Sequence, residues 1–441
     1  AILRALGAYI NEHKEQLYAI SAHTGATRAD SWIDIEGGSG TLYAYASMGA
    51  AELPSSNVMH EGPVSRLGKL GHFTGTHILV PRGGVAVHIN AFNFPIWGML
   101  EKFAPSFLAG MPCIVKPASA TSYLTEAAVR LMMASGLLPA GALQLVIGGT
   151  GDLLDRLEEP DVVTFTGSAD TAATLKVNPN IIRRSIPFNA EADSLNCAIL
   201  GPDVSPDDEE FDLFVKEVAK EMSAKAGQKC TAIRRAIVPA KHIDAVATKL
   251  RERLAKISVG DPGVEGVRMG ALASKAQQSD VAERLALLSA GNEVIFGARD
   301  GFAPIGEGVD QGAFFSPTLL LCRDAFANES VHNVEAFGPV STLMPYDSMD
   351  EALALAAKGR GSLVGTLVTK TPSVAAQMIP VAAAYHGRML VLDAEAAKES
   401  TGHGSPLPLL KHGGPGRAGG GEELGGLRAV KHYLQRAALQ G

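Results

Sequence analysis

Of the cysteines at positions 113, 197, 230 and 322, only Cys230 has a polar setting, in Ala226-Gly227-Gln228-Lys229-Cys230-Thr231-Ala232. A thiolate is the best soft nucleophile among side chains, and Gly227 leaves room for a substrate carbon to approach the sulfur. The ordinary alternative is a buried core cysteine. Cys113, Cys197 and Cys322, embedded in apolar runs, suit that alternative. Cys230 does not, and is read as a nucleophile.

Glu191 follows a strand-like run in Phe188-Asn189-Ala190-Glu191-Ala192-Asp193-Ser194. Desolvation among apolar neighbours raises a carboxylate pKa toward that of a general base. A single Glu is more often a surface acid, and Asp193 is a rival that spacing alone does not eliminate. Asn93, in Asn93-Phe94-Pro95, stands where a strand gives way to a helix. Its amide can donate to an oxyanion, although Asn is also an ordinary turn former.

Several strand ends could meet a nucleotide. Lys116-Pro117-Ala118-Ser119 ends one strand, where a parallel sheet presents residues to ligands. Phe165-Thr166-Gly167-Ser168 ends another, and Ser168 opens a helix whose N-terminus favours phosphate. Gly148-Gly149-Thr150-Gly151 is a further turn. No G-x-G-x-x-G fingerprint is present, so each turn alone is weak.

These residues need elements to hold them. From 84 to 190, strand candidates at 84–90, 112–116, 143–147, 161–165 and 185–189 alternate with helical segments at 95–108, 122–134 and 168–177. That alternation predicts an α/β fold, a Rossmann-like doubly wound parallel sheet. A second α/β pattern runs from about 208 to 393, with helices at 208–225, 241–256, 349–358 and 372–384. Its strands are expected at 232–238, 314–321, 340–344, 363–368 and 388–392. The expected units are a dinucleotide-binding domain at 1–62 and 81–192, a catalytic domain at 193–400, and a β-hairpin arm at 63–80 with 425–441. A Gly-rich loop at 401–424 completes the chain, and its composition suits a flexible linker and a ligand-packed loop equally.

Hydrophobic residues make up 46% and charged residues 19% of the 441, ample material for large cores and no disorder signature. Lys and Arg number 39 against 46 Asp and Glu, which argues against nucleic acid or an anionic membrane as the main partner. The longest apolar runs, such as 317–322, are far short of the ~20 residues of a membrane helix. No Cys-x-x-Cys pair occurs, so neither a zinc cluster nor any other metal site is expected, and a reducing, cytoplasmic setting is. The opening Ala1, not Met, is read as loss of an N-terminal piece.

Together these segments, in this order, resemble the aldehyde dehydrogenase superfamily over residues 20 to 436. The likeness rests on Asn93-Phe94-Pro95, Lys116-Pro117-Ala118, Phe165-Thr166-Gly167-Ser168, the Glu191 strand, Gly227-Gln228-Lys229-Cys230 and Glu335-Ala336-Phe337-Gly338-Pro339. Within it the chain is most similar to the dehydrogenase half of bifunctional ring-opening proteins of phenylacetate degradation. The semialdehyde dehydrogenases of the aerobic benzoyl-CoA pathway are also close. Thr24 to Arg28, Glu191 to Asn196, Thr401-Gly402-His403-Gly404-Ser405 and the Gly-rich tail carry that finer likeness.

The resemblance implies a catalytic set: Cys230 as nucleophile, Glu191 activating water, and Asn93 with the Cys230 backbone N–H as oxyanion hole. It also implies a cofactor set of Asn90, Ala91, Phe92, Lys116, Ser119, Gly149, Phe165, Gly167, Ser168, Glu335 and Phe337. Lys116 would hold the adenosine ribose, and Glu335 with Phe337 the nicotinamide end. The arm implies a homodimer or larger homo-oligomer. A CoA-linked aldehyde is the implied substrate, with Lys411, His412 and Arg417 as candidates for a basic lip. Ser119 stands where most NAD-using members carry Glu, so NADP is expected over NAD, with NAD still possible. Ala172 and Asp193-Ser194 replace glycines of the family pattern, which questions the mobility of the loop after Glu191. No hydratase domain is found within the chain, so it is read as either an excised half or a stand-alone relative. Two other readings stand beside this one. A CoA-acylating dehydrogenase would have no need of Glu191, and a silent scaffold would be expected to lose Cys230 or Glu191.

Overall fold

The computed structural model describes residues 1–297 and 302–441. Its first sheet has five parallel strands in the order Leu143–Leu145, Cys113–Lys116, Ala86–Ile89, Val162–Thr166 and Phe188–Glu191. Ala86–Ile89 is buried at every position, the continuous apolar pattern of a strand covered on both faces. One face packs on the N-terminal helices and on the helices Trp97–Leu108 and Ser122–Ala134. The other carries Leu154, Leu157, Ala172 and Ile181 from the segments between the last strands.

Helix starts follow local chemistry. Arg28–Glu52 opens on a capping box in which the Thr27 side chain accepts from the Asp30 N–H and Asp30 accepts from the Thr27 N–H. Ser168, the expected start of a helix, caps Ala169–Lys176 by accepting from the Thr171 N–H.

The second sheet has seven strands: Glu293–Phe296, Thr318–Leu321, Val340–Tyr346, Arg235–Pro239, Cys197–Leu200, Ser362–Val368 and His386–Leu392. Only Glu293–Phe296, on the edge, is antiparallel. Two strands and two long helices escaped the sequence pattern: Cys197–Leu200, Glu293–Phe296, Arg28–Glu52 and Lys275–Ser289. Cys197–Leu200 is only four residues long and fully buried, too short to show a period.

The expected hairpin is Met59–Arg66 paired with Thr74–Pro81, longer at both ends than the expected 63–80. A third strand, Leu434–Gln440, adds to Thr74–Pro81 within the same chain.

The Gly-rich stretch is packed, not a free linker. Lys411–His412 pairs with Glu423–Leu424, and the loop between them lies across the seam of the two sheets. Ala192 N–H donates to Ala418 O, and Gly421 N–H to Ala190 O. A Cβ at Gly387 would sit 1.6 Å from Gly413 O, and one at Gly421 2.4 Å from Ala190 O. Backbone meets backbone there with no room for side chains. No helix among the described residues is long and apolar enough to cross a membrane.

Candidate active site

The parallel register puts the candidate residues on one rim. Ile89 pairs with Lys116 and with Phe165, and Thr166 pairs with Glu191. Asn90, Lys116, the 166–168 turn and Glu191 therefore leave the same, C-terminal, ends of the strands. Gly149 follows Leu143–Leu145 on the opposite edge of this sheet from Glu191.

Cys230 comes from the other half of the molecule, after a turn of unusual backbone. Lys225 and Ala226 have φ of 53° and 52°. They are held by the Asp30 carboxylate, which accepts from the Lys225 N–H at 2.7 Å, and by the Lys225 amine on Thr24 Oγ1 at 2.9 Å. Gly227 is obligatory: its φ is +69° and a Cβ would lie 2.2 Å from Gly338 O. Asn196 Nδ2 then donates to the Cys230 carbonyl at 2.8 Å. Behind the thiol, Lys229 is clamped by both oxygens of Glu221 at 2.8 Å.

Cys230, Glu191, Asn93, Ala91, Trp97 and Thr166 line one small cavity. Glu191 is almost fully buried and neither of its oxygens has a hydrogen-bond partner. His412 Nε2 stands 3.0 Å from Glu191 Oε2, outside hydrogen-bond geometry, and 3.9 Å from Cys230 Sγ. Burial pushes the Glu191 carboxyl up, but the His412 ring and the Lys102 amine outweigh it and hold the group below its ordinary range. The Cys230 thiol is pushed well up, by burial first and then by the Glu191 carboxylate. The proton thus rests on sulfur and the negative charge on Glu191. Asp193, the rival carboxylate, accepts from the Ala169 N–H at 2.9 Å and lies 3.9 Å from Arg417, so it is engaged at a helix start.

Beside Glu191 lies a buried charge cluster that the sequence reading missed. Lys102 Nζ reaches Glu101 at 2.9 Å and Glu423 at 3.0 Å, all nearly inaccessible to water. Burial lowers the Lys102 pKa, but the flanking carboxylates more than compensate and raise it. Burial raises Glu101 and Glu423. The signal was there: Glu101-Lys102 are the only charged residues of the helix Trp97–Leu108.

Among the residues expected to meet a cofactor, Glu335 accepts from the Ser194 N–H at 3.2 Å and lies 3.5 Å from Arg234. Phe337 meets Phe92 edge-on at 5.8 Å and lies under the Arg234 guanidinium at 5.4 Å. Gly167 is pressed on the Phe165 ring, where a Cβ would come within 2.6 Å. The Ser168 hydroxyl is occupied by its cap. Ser119 is exposed and Lys116 half-buried. The residues fit a nicotinamide dinucleotide, since Glu335 Oε1 and both polar atoms of the Asn90 side chain are buried and unpartnered. These are acceptors and a donor awaiting a polar ligand. Ser194, in the loop after Glu191, is fixed by Asn196 at 2.6 Å and by the Leu363 N–H at 2.9 Å.

The basic lip is not formed as expected. His412 is buried against Glu191, Lys411 is paired with Glu422 at 3.2 Å, and Arg417 donates to the carbonyls of His332 and Asn333. The Lys411–His412 strand turns alternate side chains in opposite directions, so His412 faces Glu191 and Cys230.

Residues 1–436 match the family model described as the aldehyde dehydrogenase family. A 3,4-dehydroadipyl-CoA semialdehyde dehydrogenase from Aromatoleum evansii is 45% identical over 94% of this chain and 81% of its own length. Protein MaoC from Klebsiella aerogenes is 54% identical over 174 residues, 39% of this chain and 50% of that protein. Among solved structures, succinic semialdehyde dehydrogenase from Streptococcus pyogenes in complex with NADP+ superposes with a TM-score of 0.83 at 21% identity, covering 100% of this chain and 89% of that one. Betaine aldehyde dehydrogenase from Staphylococcus aureus in complex with NAD+ gives 0.84 at 23%, covering 100% and 81%. At such identity these two speak for the fold.

Proposed function

The chain belongs to the aldehyde dehydrogenase family, and from that premise we propose that it oxidises a CoA-linked semialdehyde of aromatic-acid catabolism, phenylacetate breakdown included, to the free acid with NADP. The observation that carries the chemistry is the convergence of the Cys230 thiol and the unpartnered Glu191 carboxylate in one cavity with Asn93. The 45% identity to a dehydrogenase named for a CoA semialdehyde supports the substrate class.

Cys230 gives its proton up to water, and the thiolate sulfur attacks the aldehyde carbon. The oxyanion that forms would be stabilised by the Asn93 amide and the Cys230 backbone N–H. When bound, NADP supplies the nicotinamide carbon that accepts hydride. Glu335, Asn90 and Phe337 would hold its nicotinamide end, and Lys116 and Ser119 its adenosine ribose. Glu191 then takes a proton from a water whose oxygen bonds the acyl carbon, the carbon–sulfur bond breaks, and the acid and the Cys230 thiolate are released. A water-activating carboxylate favours hydrolysis over transfer to CoA.

The test follows absorbance of the reduced cofactor with CoA-linked and simple medium-chain aldehydes. Cys230→Ala is expected to abolish turnover. Glu191→Gln is expected to leave a burst and slow the steady state by about 10²–10⁴-fold. Normal turnover in either variant, or a higher kcat/KM for simple aldehydes, sinks the reading. By resemblance the protein is a homodimer or larger, and a monomer mass in light scattering would count against that.

A further inference from the structure

We propose that Cys230, Glu191 and His412 form a chelating site for a zinc-class divalent cation, and that its occupancy shuts the enzyme off. The inhibitory consequence rests on the roles given above to Cys230 and Glu191. The site itself rests only on geometry.

Sulfur, nitrogen and oxygen ligand atoms of these residues lie within 4.8 Å of one another. They come from separate parts of the chain, each fixed by its framework. Glu191 ends an edge strand in register with Thr166, His412 is paired with Glu423, and the Cys230 carbonyl is tied to Asn196. Glu191 is 2% exposed with both oxygens unpartnered, so a buried carboxylate aims into the cluster unsatisfied.

The decisive feature is that both contacts fall on one nitrogen. A relay from thiol through imidazole to carboxylate uses the two ring nitrogens in turn. Here Nε2 faces both Glu191 and Cys230, at 3.0 and 3.9 Å. Three atoms converging on one point is the arrangement of chelation. Zinc bonds of about 2.3 Å to sulfur and about 2.0–2.1 Å to nitrogen and oxygen, set tetrahedrally, separate nitrogen from oxygen by about 3.3 Å and from sulfur by about 3.6 Å. The two separations observed from Nε2 differ from these by a few tenths of an ångström, and sulfur and oxygen lie within 4.8 Å of each other.

Thiolate and imidazole select zinc over magnesium or calcium, which prefer all-oxygen sites. Three protein ligands leave the fourth position to water. On binding, the Cys230 proton is released to solvent and the metal–sulfur bond forms. The nucleophile and the water-activating carboxylate are then both tied up.

The test needs neither aldehyde nor cofactor, so its failure leaves the dehydrogenase reading standing, and a failed turnover assay leaves this one standing. Zinc is titrated into the full chain against a chromophoric chelator, and Cys230 alkylation by iodoacetamide is followed by mass spectrometry. One zinc per chain is expected, protecting Cys230 from alkylation, with magnesium giving no protection. His412→Phe and Glu191→Gln, each checked for folding by circular dichroism, are each expected to weaken zinc at least about tenfold. Wild-type affinity in a folded His412→Phe, or zinc bound with Cys230 still freely alkylated, would overturn the proposal.

Discussion

The proposed cofactor rim and the chemical core of this site are built on different principles. The rim is local: Lys116, Ser119 and the turn Phe165-Thr166-Gly167-Ser168 each sit within a few residues of a strand end, and the parallel register aligns them. The core is assembled from afar. Glu101 and Lys102 come from a helix, Glu191 from an edge strand, Cys230 from a strained turn, and His412 and Glu423 from a ribbon near the C-terminus. The rim meets solvent, whereas the core holds ionisable groups almost without water. Substitutions at the rim should therefore retune binding, and those in the core should cost folding as well.

Lys102→Met tests the core hardest. It would leave Glu101 and Glu423 buried beside Glu191 with their shared cation gone, and losing one partner of a buried pair costs about 3–5 kcal/mol. Arg156→Ala is the control, because its pair with Asp152 is exposed and such pairs are worth about 1 kcal/mol or less. Urea unfolding of both variants measures the contrast. Equal losses would mean that the buried cluster carries no special weight.

Ser119→Glu tests the rim, where a smaller effect is expected. Ser119 is exposed, so stability should be unchanged. A carboxylate there would repel the 2′-phosphate of NADP across a short distance. NADP kcat/KM should fall disproportionately, about tenfold for each 1.4 kcal/mol of repulsion, with NAD use kept. An unchanged NADP to NAD ratio would place cofactor choice elsewhere, and a large drop in stability would break the contrast between rim and core.

The same division explains what could be read from the chain. The five strands of the first sheet were legible because buried parallel strands are short apolar runs bounded by Gly and Pro, and the helix at Ser122–Ala134 because Gly136 and Pro139 stop it. Cys230 stood out by its polar neighbours. His412 did not, because no local spacing reveals that a residue of a Gly-rich loop will face a carboxylate 221 positions earlier. Glu423 was hidden for the same reason. Glu101-Lys102 was readable in principle, as a charged pair inside an apolar helix, but its partners were not. Spacing alone did not separate Asp193 from Glu191; the resemblance favoured Glu191, and the structure engages Asp193 at the Ala169 N–H and places Glu191 in the cavity.

Glu335 sits where rim and core meet, and its effect should be the smallest and the most dependent on pH. Burial raises its pKa to about 7 from an ordinary 4.5, with Asp193 adding to the shift and Arg234, the Ser194 N–H and Arg417 opposing it. The folded chain thus keeps a proton that the unfolded chain has released between about 4.5 and about 7. Stability contributed by this group is present below that window and is lost as pH rises through it. Binding runs the other way. Above pH 7 the ionised carboxylate would accept charge-assisted hydrogen bonds from the ribose hydroxyls of the proposed cofactor, stronger than neutral ones by about 1 kcal/mol. The KM for NADP should therefore rise about fivefold as pH falls from about 8 to about 6, while Glu335→Gln should flatten that dependence. A wild-type KM profile retained in Glu335→Gln would assign the titration to another group and leave Glu335 to its contact with Arg234.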